Sequence, residues 1–193
     1  MEESPLFDVI ETPLGVVGFS CRFGGGNAQV KLRVAPIEPD VPADFPPVTL
    51  WAAAWHIVAE EPVPEVTLTA ALTGIPEDAV GDIDSGERLE AVTFQTADVA
   101  VTLGGPDYEL VHAYAASRDY LPSRWVDELD EFPVEIAEPA RLIWRLPGLK
   151  PGESVKLAVA VAWGEPSEYS VSSYAVDSAV DRSADSVYRQ LAP

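Results

Sequence analysis

Along most of this chain apolar side chains recur at every second position. That is the period of a strand with one buried and one solvated face, not the 3.6-residue period of a helix. Val30, Leu32 and Val34 alternate with Gln29, Lys31 and Arg33. Val17, Phe19, Cys21 and Phe23 come before them, across the run Gly24, Gly25, Gly26 and Asn27. Glycine and asparagine tolerate positive φ, so the pattern predicts strands at 15–23 and 28–35 joined as a hairpin. A glycine cluster can also cradle phosphate, but that needs a helix N-terminus next, and here a strand follows.

A Pro-rich connector, Pro36 to Pro47, leads to Val48–Ala59, which is apolar on both parities. It reads as a central strand covered on both faces or as a short buried helix, and the flanking prolines favour the strand. Val66, Leu68, Ala70 and Leu72 alternate with threonines, and Leu89–Gln95 and Val99–Leu103 continue the strand pattern up to a turn at Gly104-Gly105-Pro106. Tyr108–Ala115 is apolar and reads as a further strand. Leu142, Trp144 and Leu146, then Val155 to Trp163, flank the turn-forming run Pro147 to Glu153 and predict a second hairpin.

Helical spacing is confined to two places. Trp125 and Leu129 stand at i, i+4 within Ser123–Glu131, and Val176, Val180, Ala184, Val187 and Leu191 form one stripe near the end. The expected fold class is all-β. It is mainly an antiparallel β-sandwich, immunoglobulin-like or jelly-roll-like, with a short helix and a C-terminal helix at about 174–192. With no repeat and no break in composition, residues 1–193 read as one domain.

Charge changes this picture most: 32 Asp and Glu against 12 Lys and Arg give a formal net charge of −20. A field of that sign disfavours nucleic acid and anionic membranes and favours solubility or a cationic partner. The first residues, MEESPLFDVIE, are acidic where a signal peptide is basic, and no apolar run reaches bilayer length, so a cytoplasmic setting is expected. The lone Cys21 cannot form an internal disulfide and shares parity with Phe19 and Phe23, the place of a small buried hydrophobe.

Candidate chemistry is sparse. His56 and His112 lie far apart in apparent strands, and His56 shares strand parity with Glu60. No G-x-S-x-G elbow nominates a serine nucleophile. The segment Glu77–Glu90 reads as an acidic loop in which Asp82, Asp84 and Glu87 surround Gly86, a donor set that suits calcium although its spacing is not that of an EF-hand. Among five tryptophans, Trp125 has the most polar neighbours and is expected to be partly exposed, where it could stack on a carbohydrate. A second acidic cluster, Asp127, Glu128, Asp130 and Glu131, offers a surface for a protein with a basic face. The functional expectation is a non-enzymatic protein–protein interaction or structural assembly module, able to self-associate. An acidic antagonist of a basic protein and a calcium- or carbohydrate-binding module stand as alternatives, beside an enzyme whose site is dispersed in sequence.

Overall fold

The computed structural model describes residues 8–86, 88–117, 120–166, 171–182 and 184–190. Each alternating strand has one apolar row to remove from water, and two such faces cover each other. The result is two antiparallel sheets. The first has the order β1 (Val9–Thr12), β2 (Gly15–Phe23), β5 (Val63–Thr73), β10 (Arg141–Leu149), β9 (Val134–Ala137). The second runs β3 (Ala28–Pro36), β4 (Val48–Ala59), β11 (Ser154–Gly164), β8 (Ala100–Pro106), β7 (Leu89–Gln95), β6 (Val80–Gly86). The expected antiparallel sandwich with few short helices is the architecture observed. At its centre Phe19 meets Trp55 edge-on at 5.8 Å, and Trp55 meets Trp144 at 6.3 Å. Cys21 is buried beside them, and desolvation pushes its thiol up to about 12. A thiol reagent at about pH 8 is therefore expected to leave native Cys21 unmodified and to react stoichiometrically once denaturant is added, as read by absorbance.

The two expected hairpins have the right strands and the wrong partners. β2 pairs with β1 and β5, whereas β3 pairs with β4 in the other sheet. Likewise β10 pairs with β5 and β9, and β11 with β4 and β8. Segments 24–27 and 150–153 are thus arches that carry the chain from one sheet to the other. Alternation sets which face of a strand is buried and leaves the choice of neighbour open. A third arch, 60–62, joins β4 to β5, and the three stack: Glu60 N–H and Glu61 N–H donate to Asn27 O, and Gly152 N–H to Ala59 O. Gly26, at φ +78°, lies so close to its neighbour that a Cβ there would sit 2.1 Å from Pro62 O. Only glycine permits that approach.

Further corrections concern local structure. Val48–Ala59 is the strand β4. The expected strand at Tyr108–Ala115 is instead helix α1 (Tyr108–Ser117), because the Asp107 carboxylate accepts from Leu110 N–H at 2.8 Å and caps it. Leu110, Val111, Tyr114 and Ala115 then form a buried helical stripe. The expected acidic loop 77–90 contains the strand β6, and Gly104-Gly105-Pro106 belongs to β8, not to a turn. Only Ser123–Val126 of the expected helix 123–131 is helical, as a 3-10 turn.

The expected terminal helix is two helices, α2 (Val171–Asp181) and α3 (Ala184–Gln190); Leu191 lies outside the described residues. Its stripe does dock, with Val176, Val180 and Val187 buried. α2 lies on the outer face of the six-stranded sheet, where a buried hydroxyl chain, Thr93–Thr102–Ser172, ties it down with two contacts of 2.8 Å. The Pro-rich connector joins β3 and β4, neighbours in one sheet, so it is a loop and no crossover. It packs on α2 through Phe45 against Tyr174 and Ser178 O–H to Asp40 O, and just past the helix the Arg182 guanidinium donates to Glu38 O.

Candidate functional site

The segment after the 3-10 turn is held by its first residues and then released to solvent. Trp125 is fully buried, which reverses the exposure expected of it, and its indole N–H donates to Gly148 O at 3.1 Å. Beside it the Arg124 guanidinium donates to both Glu153 carboxylate oxygens, at 2.9 and 2.7 Å, to Gly148 O at 2.7 Å, and to Glu128. Those bonds from Arg124 hold the Glu153 carboxyl below the usual carboxylate range. Fastened to the 150–153 arch in this way, the chain runs on through Asp127, Glu128, Asp130 and Glu131, all exposed, to Phe132.

Phe132 is 69% exposed and its ring meets that of Tyr108, at the start of α1, edge-on at 5.7 Å. Tyr108 O–H donates to Glu109 at 3.1 Å, and His112, one turn further on, places Nε2 3.3 Å from Asp130 O. The Tyr108 phenol is raised above its ordinary value, first by the bond to Glu109 and then by charges that include Asp107 and Glu131. The geometry is therefore an aromatic centre in a negative field, carried on a helix at one side and an anchored segment at the other. Among the described residues it contains no nucleophile–base pair. The four acidic residues are legible in the sequence; Phe132 and Tyr108 are not, because the apolar run Tyr108–Ala115 has the look of a strand and not of the helix it forms.

The other predicted donors are dispersed. Asp82 and Asp84 share one side of β6 at the edge of the six-stranded sheet; Asp84 accepts from Ser173 O–H at 2.6 Å and Asp82 from the Ile83 N–H at 2.9 Å. Glu87 lies outside the described residues. Among the described residues no group of three or more His, Cys, Asp or Glu is placed to hold a metal ion. Glu60, which shares strand parity with His56, accepts from the Asn27 and Gln29 amides at 2.8 and 2.7 Å. A cleft of about 430 Å³ borders Asp82, Asp84, Thr93 and Gln95, and one of about 500 Å³ lies by Leu72, Ile75, Phe94 and Arg141. The groups whose ionisation is shifted, Cys21, His56, Asp107, Tyr108, Arg124, Glu153 and Tyr188, line neither cleft.

No protein-family model matches the chain, and no curated protein matches it. Among solved structures it is similar to a chain described as "Putative kojibiose phosphorylase from human microbiome", at 9% identity and a TM-score of 0.48, over 90% of this chain and 22% of that one. The chain thus spans about a fifth of that protein's length, and at this level the likeness carries no functional weight. Among the described residues no helix is long and apolar enough to cross a membrane.

Proposed function

We propose that this chain is a non-enzymatic binding module that recognises a protein partner through the surface around Phe132. The observation that carries this reading is a pair of exposed rings, Phe132 and Tyr108, bordered by Asp130, Glu131 and Glu109. Exposed apolar groups inside a charged rim are the anatomy of a recognition surface, with the rings supplying buried area and the rim supplying steering. The complementary partner has a basic face with an apolar recess. Either a subunit of an assembly or a basic protein held in check by this one meets that description. The reading belongs to a cytoplasmic setting, with which a single buried thiol accords.

The test uses a partner captured on the wild-type chain and then purified. Association is expected to be about tenfold or more faster at low than at physiological salt, as for other electrostatically steered pairs. The triple variant Asp127→Asn, Asp130→Asn, Glu131→Gln should slow association and leave the Arg124–Glu128 contact in place. Phe132→Ala should instead speed dissociation by about tenfold or more, the behaviour of an anchor residue. An association rate flat with salt, together with unchanged dissociation of Phe132→Ala, would refute the reading.

A further inference from the structure

Three of this chain's 12 Lys and Arg residues come together on one sheet face. Lys31 on β3 and Lys156 on β11 both register with His56 on β4, so the three stand in one row across the outer face of the six-stranded sheet. Arg33, two residues along β3, shares the face. Two of the three lysines in a protein of net charge −20 therefore flank one imidazole. We propose that this row binds a small anion of the phosphate class.

Several observations support the assignment. In-register neighbours place their Cβ atoms about 5 Å apart, so both ammonium groups and the imidazole can converge on one tetrahedral anion. Among the described residues neither Lys31 nor Lys156 has a carboxylate partner, unlike Arg124, Arg145 and Arg182, which do. The helical layer stops short of the row. It covers the sheet near Ala52 and Ala160, whereas His56 and Lys156 are half-buried and Lys31 is exposed. Beside the row, Lys156 N–H donates to Tyr120 O, so the 120 segment forms a wall along one side. The His56 imidazole is held below its ordinary range, first by burial and then by Lys156, Lys31 and Arg33, so at neutral pH it is uncharged and can present an N–H donor.

The size of the ligand follows from the charge of the rest. A polyanion or an anionic membrane meets the whole −20 field over many ångströms and is repelled. A small ion within about 8 Å of the row, roughly one screening length at physiological salt, meets the local cations instead. Bound phosphate would satisfy the ammonium groups by charge-assisted hydrogen bonds and offset the mutual repulsion of the two lysines.

The chain has two histidines, which makes the test direct. Inorganic phosphate is titrated at constant ionic strength against chloride while the two imidazole proton resonances are followed. The His56 resonance is expected to shift saturably and its pKa to rise, because an added anion opposes Lys156, Lys31 and Arg33. The His112 resonance, on α1, should stay put. Lys31→Gln with Lys156→Gln, both off the sandwich interior, should weaken the binding about tenfold or more. Glycerol 3-phosphate in a parallel titration distinguishes the source: tighter binding than inorganic phosphate assigns an esterified ligand, weaker binding assigns the free ion. Equal movement of both histidines, an equal response to chloride, no saturation by about 50 mM, or an unchanged response in the double variant would each overturn the proposal. Phe132→Ala should leave this titration unaltered, so its outcome is separable from that of the partner surface.

Discussion

Trp144→Ala is expected to destabilise the folded chain by about 3–5 kcal/mol, the range for removing a large buried aromatic. The reason lies in what its indole does. It is fully buried at the contact between the sheets, packs against Trp55, and donates to Pro106 O at 2.9 Å. Gly105 has no side chain where the indole passes: a Cβ there would lie 2.5 Å from Trp144 Cζ2. The hole left by the truncation therefore borders a rigid stretch of β8 and cannot readily collapse. Trp144→Phe fills most of the space but leaves the Pro106 carbonyl without its donor, and about 1–3 kcal/mol should be lost. Denaturant unfolding followed by far-ultraviolet circular dichroism measures both. A midpoint for Trp144→Ala equal to that of the wild type would mean that the two sheets do not depend on this contact.

The second large effect concerns the helical layer. Val176 is fully buried on α2, and its Cγ1 would meet a Cβ on Gly104 at 2.6 Å. Val176→Asp places a carboxylate against an apolar sheet surface of Ala91, Gly104 and Leu89. A loss of about 3 kcal/mol or more is expected, with the carboxyl either driven to protonate or α2 driven off the sheet. In the second case the Thr102–Ser172 bond opens, and amide exchange in α2 should accelerate far more than in β4. Unchanged melting would show that α2 contributes nothing to the body.

How far these features were legible in the sequence depends on the kind of information each needs. Strand positions were visible because burial of one face writes period two directly into β2, β3, β5 and β11. Partners were not visible, since Gly24–Asn27 and Lys150–Glu153 are composed like hairpin turns but bridge two sheets. The helix α1 was hidden because Leu110, Val111, Tyr114 and Ala115 crowd a ten-residue segment with apolar side chains; the signal that could have found it is Asp107 as an N-cap. The acidic residues 127–131 were plain from composition. That they border Phe132 and Tyr108 depends on the burial of Trp125, a tertiary event that no local pattern records. The cationic row is of the same kind. Lys31, His56 and Lys156 span more than a hundred positions, and only the register of three strands brings them side by side.

The stacked arches also govern the order in which the chain can fold. Because each arch sends the chain to the opposite sheet, the middle of each sheet is completed late. β4 waits for β11 and β5 waits for β10, with paired residues 70 to 116 positions apart (Arg141 with Ala71, Gly164 with Val48). Pairings at such separation require closing large loops before any reward, so folding belongs to the slow class of β-proteins, in milliseconds to seconds. During synthesis, β4 and β5 are made well before β10 and β11, with their inner edges open to pairing with another chain. Between β5 and β10 the chain adds 16 acidic residues, whose charge repels neighbouring nascent chains during that interval. Like-charge repulsion of that kind suits a topology that is slow to close.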